Sequence, residues 1–219
     1  MKKSILKLLV ILILIGSTIF PQEPQNTEKE FIPLLTDSEL TGWYCKDGDI
    51  DSWQFKDGIL SCIKKGGGWL TTDKEYENFL LRLEWRIPAG GNSGVGVRYP
   101  KKGDPAHAGM EIQVLDDNAE KYKDLKPAQY TGGIYYQVPA KRGFTKPVGE
   151  WNRYEITCDG PLVTVELNGE TIVEANMDEH TEGHGGHVPL SKRPRKGHVG
   201  VQSHDTRVDY RNIRIKELP

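Results

Sequence analysis

The sequence predicts an all-β protein: two antiparallel sheets packed as a sandwich or jelly roll. Three observations predict it. From Phe31 onward the chain reads as short apolar or alternating segments, punctuated by many of its 24 Gly and 13 Pro residues. Two of these joints, Asp57-Gly58 and Asn168-Gly169, are strong signals for tight hairpins. No helical periodicity extends beyond a turn or two, and neither heptads nor an internal repeat is found.

Size and charge narrow the function classes. The chain has 219 residues and a formal net charge of −2, which leaves no electrostatic footprint for nucleic acid. Residues 1–20 read as a secretory signal peptide: Lys2, Lys3 and Lys7 supply positive charge, Leu8 to Ile15 is aliphatic, and Gly16-Ser17-Thr18 is small. The apolar run is short for a membrane span, so no insertion is expected after cleavage. Residues 21–30 form a polar linker, and 31–219 one domain, large enough to bury roughly 70% of its unfolded surface without staples. The expected location is therefore outside the cytoplasm, secreted or periplasmic. Export permits disulfides, but three cysteines (Cys45, Cys62, Cys158) leave at least one unpaired. Cys45 and Cys62 fall in neighbouring strands and are candidates to pair; the alternative is that all three are small buried hydrophobes.

The elements follow in order. SWQFKDGILSCI is a hairpin through Asp57-Gly58, and GGGWLTTDKEY brings a glycine-rich approach to Trp69. NFLLRLEWRI alternates Leu81, Leu83, Trp85 and Ile87 against Arg82, Glu84 and Arg86. In VGVRYP, Gly94, Gly96 and Arg98 fall on one face, and glycines facing a cleft leave room for a ligand. GMEIQVLDD puts Met110, Ile112 and Val114 opposite Glu111 and Gln113, an acid and an amide where a strand needs neither. EWNRYEITCDGPLVTVELNGETIVEA, Glu150 to Ala175, reads as two strands, a turn through Leu167-Asn168-Gly169, and a third strand. A polar loop then carries His180, His184 and His187, read as solvated. GHVGVQSHD places His198, Gln202 and His204 on one face, and VDYRNIRIKEL closes a sheet.

These motifs together, GGGWLTTDKEY, NFLLRLEWRIPAGGNSGVGVRYP, GMEIQVLDD, GEWNRYEITCDGPLVTVELNG and RPRKGHVGVQSHD followed by VDYRNIRIKEL, resemble the 3-keto-disaccharide hydrolase domain family. The resemblance runs in order over Phe31 to Pro219. It implies a concanavalin A-like jelly roll, bacterial export, and hydrolysis, or elimination and hydration, of glycosides oxidised at C3.

That chemistry selects candidate residues. A C3 carbonyl acidifies the C2 proton, so a base generates an enediolate, the C1 substituent departs and water adds back. Glu111 and His204 are the candidate base and acid, in either order. Arg98 suits the enediolate charge. Gln113 and Gln202 would orient hydroxyls, with His198 and Glu84 on the same polar strand faces. Trp69 and Tyr135 offer rings on which a pyranose stacks. No cofactor is expected, although His198 and His204 are candidate ligands for a divalent cation, without any compact spacing such as HExxH.

Other readings stay open. Glu111 is alternatively a solvated strand residue or the partner of Arg98 in an ion pair. A conventional two-carboxylate glycosidase is disfavoured, because Gln113 stands where a central acid would be and Asp116 is out of phase with Glu111. The functional alternative is a non-catalytic carbohydrate-binding jelly roll that uses Trp69 and Tyr135.

Overall fold

The computed structural model describes residues 30–219. The signal-peptide reading of residues 1–20, and the linker up to residue 29, lie outside the described residues. Phe31–Pro219 forms one compact unit.

An eight-stranded antiparallel sheet holds β1 (Ile32–Pro33), β3 (Trp53–Lys56), β4 (Ile59–Cys62), β6 (Phe79–Arg86), β9 (Asn152–Asp159), β10 (Leu162–Leu167), β11 (Glu170–Asn176) and β13 (Asp209–Glu217). Its order is β11-β10-β9-β6-β13-β4-β3, with β1 added on β13. A five-stranded sheet holds β2 (Trp43–Lys46), β5 (Trp69–Tyr76), β7 (Asn92–Tyr99), β8 (Met110–Leu115) and β12 (Gly197–Gln202), in the order β2-β5-β12-β7-β8. One four-residue helix, α1 (Pro105–Ala108), links β7 to β8.

Local sequence explains the joints. Asp57 and Gly58 both take positive φ (52° and 76°), as do Asn168 and Gly169 (55° and 94°). Those left-handed pairs twist with the flanking strands, and they close β3–β4 and β10–β11 as the sequence predicts. Between the sheets, Leu81, Leu83 and Trp85 meet Met110, Ile112, Val114, Val199 and Val201 in one apolar core.

Two phenols cross that core and hold the five-stranded sheet from beneath. Tyr154 on β9 donates to the Gln113 carbonyl at 2.6 Å, and Tyr210 on β13 donates to the Gly94 carbonyl at 3.3 Å. Both rings are fully buried, so these hydroxyls need partners, and they find them on the two strands that carry the polar face.

The free edge of β8 is sealed by the turn that follows. Gly132 donates to the Gln113 carbonyl, Gln113 donates to the Gly133 carbonyl, and Tyr135 donates to the Glu111 carbonyl at 2.9 Å. Cys45, Cys62 and Cys158 are free thiols. Cys45 and Cys62 each donate to a backbone carbonyl, of Gly67 and Lys64 respectively, and do not pair.

Because Ile112 is fully buried at the centre of this packing, Ile112→Ala is expected to cost about 2–5 kcal/mol. Equilibrium urea denaturation measures it. A loss below about 1 kcal/mol would contradict the packing described.

Candidate active site

The polar face of the five-stranded sheet is built in two rows that follow from its register. One runs Lys46, Trp69, Gln202 on β2, β5 and β12, and ends on the Gly94–Gln113 pair. The next runs Tyr44, Thr71, Gly200, Gly96, Glu111 across all five strands. Leu70, Val201, Val95 and Ile112 between them face the core. Alternation at period two thus assigns Glu111 with Gln113 to one face of β8, and the register adds Trp69 as the partner of Gln202.

The glycines serve the protein before any ligand. A Cβ on Gly96 would stand 2.6 Å from the Tyr99 ring and 2.9 Å from Trp69, and one on Gly200 only 2.0 Å from the Tyr99 hydroxyl. Tyr99 fills the second row, bonded through its hydroxyl to Thr71. A Cβ on Gly94 would stand 1.9 Å from Glu111 Oε1. The Glu111 carboxyl therefore lies over bare backbone and leans toward the row of Gln113, Gln202 and Trp69.

Glu111 is 3% exposed. Among the described residues no donor hydrogen-bonds its carboxyl. Burial, and secondarily the charge of Asp104, push its pKa up from 4.5 to about 8. A carboxyl of this kind is mostly protonated at neutral pH and a strong base once ionised. Gln113 turns its amide oxygen onto the Val114 N–H, leaving its nitrogen to face outward partners.

Three expectations are corrected by geometry. Arg98 does not join this face. β7 carries an extra residue against β12, where His198 pairs with Tyr99 but Gly200 with Gly96, and Arg98 sits in that bulge at φ 52°. The bulge turns Arg98 away and brings Tyr99 into its place. The Arg98 guanidinium donates instead to the carbonyls of Glu77 and Gly160 and to Asn78, and it makes no ion pair with Glu111. Glu84 belongs to the other sheet, bonded to Arg211 and Asn212. His198 is buried past Gly200, with Nδ1 against the Thr72 carbonyl and Nε2 3.7 Å from Glu75.

His204 lies beyond the end of β12 in an exposed turn, so it does not pack against Glu111. It and His198 do not converge, and among the described residues no cluster of three His, Cys, Asp or Glu is arranged to hold a metal ion. Tyr135 does stand beside Glu111, through its backbone bond to that strand.

One group lies beyond the reach of the sequence pattern. His107 on α1 stacks face to face on His187, with ring centroids 3.5 Å apart, and both meet Tyr136. His187 is therefore packed, not solvated. Burial, then the neighbouring His187, hold the His107 imidazole below its ordinary value. Period-two reasoning has no access to residues on a four-residue helix and a glycine-rich loop.

A separate cavity of about 460 Å³ opens past the end of β8, lined by Trp85, Leu115, Asp116 and residues 145–150. Asp116 there accepts the N–H groups of Gly90 and Asn118, and Asp117 bonds Thr131, so both carboxylates serve turns. Of the three carboxyls on this segment, Glu111 alone accepts no hydrogen bond among the described residues.

Comparisons agree with this architecture. The profile of the 3-keto-alpha-glucoside-1,2-lyase-like domain family matches residues 30–216. A 3-keto-disaccharide hydrolase of Bacteroides thetaiotaomicron is 26% identical, over 86% of this chain and 78% of its own. A crystal structure of a provisionally named glycosyl hydrolase from Parabacteroides distasonis superposes with a TM-score of 0.78 at 31% identity, covering 86% of this chain and 99% of that one. A Bacillus subtilis protein with a galectin-like fold, at TM-score 0.56 and 15% identity over 85% of this chain and 94% of its own, shows the fold alone.

The raised pKa of Glu111 has a consequence for stability. Folding favours the protonated carboxyl, so its contribution is fully present below pH 4.5 and is lost as pH rises through about 8. Across that window the slope approaches roughly 1.4 kcal/mol per pH unit. Glu111→Gln is expected to match the wild type in chemical denaturation at pH 5 and to be the more stable protein at pH 9. Parallel pH profiles for the two would refute the burial of an unpartnered carboxyl.

Proposed function

The chain belongs to the 3-keto-alpha-glucoside-1,2-lyase-like domain family, and from that premise we propose that it cleaves 3-keto-glycosides, 3-keto-disaccharides among them, by elimination and hydration with Glu111 as the base. The observation that carries the reading is the Glu111 carboxyl: buried, unpartnered, and set over Gly94 beside Gln113, Gln202 and Trp69.

The chemistry fits those residues. Ionised Glu111 takes the C2 proton that the C3 ketone has acidified, and the electron pair becomes an enediolate. The C1–O bond then breaks and the aglycone leaves. Water adds at C1 while Glu111 returns its proton to C2, so the net reaction is hydrolysis. A conventional glycosidase needs two facing carboxylates; elimination from a 3-keto sugar needs one base, a role that the buried, unpartnered Glu111 carboxyl suits. The outward amides of Gln113 and Gln202 suit sugar hydroxyls, and Trp69 offers an apolar edge to the ring. The basic, aliphatic N-terminus supports export of the enzyme.

Purified protein is expected to cleave a 3-keto-disaccharide and to leave the unoxidised parent intact. Glu111→Gln should lower kcat by about 10²-fold or more. Since the base works ionised, kcat/KM should rise about tenfold per pH unit below a pKa of about 8 and then level. Equal cleavage of both sugars, or of neither, would overturn the reading.

A further inference from the structure

Elimination also requires a proton for the departing sugar oxygen, and the turn that seals β8 offers a source. Tyr135 is tied to the strand of Glu111 by its backbone N–H. Its ring is half-buried, and its hydroxyl oxygen accepts a hydrogen bond from Gln129 Nε2 at 3.1 Å. Gln129 is itself buried and oriented, because its Oε1 accepts the Lys126 N–H at 3.1 Å. That second bond fixes which end of the amide faces Tyr135.

The donor and acceptor count at this hydroxyl is informative. A phenol has one proton to give and lone pairs to accept with. The bond from Gln129 occupies a lone pair, and among the described residues nothing accepts the proton. Burial, and then the nearby charge of Glu111 and Asp104 against the opposing Gln129 bond, hold Tyr135 above its ordinary value, so it stays protonated. The imidazoles are worse placed to act as this acid, since His198 is committed to Thr72 and His107 is stacked on His187.

We propose that Tyr135, positioned by Gln129, gives its phenolic proton to the leaving oxygen at C1, as the acid that partners Glu111. The proposal rests on the elimination reading above. In the first half Glu111 gains the C2 proton, the C1–O bond breaks, and the Tyr135 proton passes to the departing alcohol. In the second half the Tyr135 phenolate takes a proton from water as its oxygen bonds to C1, and Glu111 returns its proton to C2. Both groups end as they began.

Leaving-group dependence tests this. A sugar departs as an alcohol and needs the proton, whereas p-nitrophenol departs as an anion and does not. Tyr135→Phe is expected to lose about 10²–10⁴-fold in kcat/KM on a 3-keto-disaccharide and less than about tenfold on the p-nitrophenyl 3-keto-glycoside. Gln129→Leu, which keeps the phenol but removes its orienting donor, should show the same split at smaller size, and it serves if the phenylalanine variant does not fold. Equal losses on both substrates, or no loss on either, would overturn the role of Tyr135 while leaving the elimination reading intact. A wild type that cleaves neither 3-keto compound would overturn both.

Discussion

Every residue of β8 is buried, on both faces of the strand, and much of the structure answers to that constraint. One face is ordinary: Met110, Ile112 and Val114 complete the core. The other carries Glu111 and Gln113, which burial deprives of water. Gln113 recovers a hydrogen bond from its own strand. Glu111 recovers none among the described residues, so its charge is suppressed and its proton retained. An unpartnered buried carboxyl costs stability, and the fold tolerates it because the strand and its neighbour β7 are fixed by other means.

Those means come largely from the opposite sheet. Tyr154 and Tyr210 reach through the core to carbonyls of β8 and β7, so the eight-stranded sheet sets the height and tilt of the two strands on which Glu111 rests. The bulge in β7 then decides which side chain occupies the floor. With Tyr99 there in place of Arg98, the Arg98 guanidinium is held by backbone carbonyls elsewhere and does not pair with Glu111 to keep it ionised. A paired Glu111 would have an ordinary or depressed pKa and would be a weaker base.

The period-two features were legible in the sequence. Asp57-Gly58, Asn168-Gly169 and the alternation through Leu81 to Ile87 led directly to strands and hairpins, and the same rule put Glu111 and Gln113 on one face of their strand; that Gln202 and Trp69 share this face follows from the sheet register. It failed at Arg98 because one inserted residue inverts every side chain beyond it, and bulges leave no periodic trace. His198 keeps the phase its strand predicts but lies past Tyr99, bonded to the Thr72 carbonyl, because phase does not say how far along a face a residue sits. Glu84 failed because phase within a strand does not say which of two sheets the strand joins. His107, His187 and Gln129 were out of reach, since their meeting depends on loops folding over the edge of β8. The chemistry came from ordered motifs; position came from packing.

The turn after β8 has a further consequence, for solubility. A strand at the edge of a sheet exposes a ladder of unpaired N–H and C=O groups to any other chain that can add a strand. Here residues 132–135 occupy that ladder with bonds to Glu111 and Gln113. The five-stranded sheet thus ends in a strand rich in apolar residues that offers little purchase for edge-to-edge aggregation. The backbone that brings Tyr135 to Glu111 is the same backbone that covers this edge.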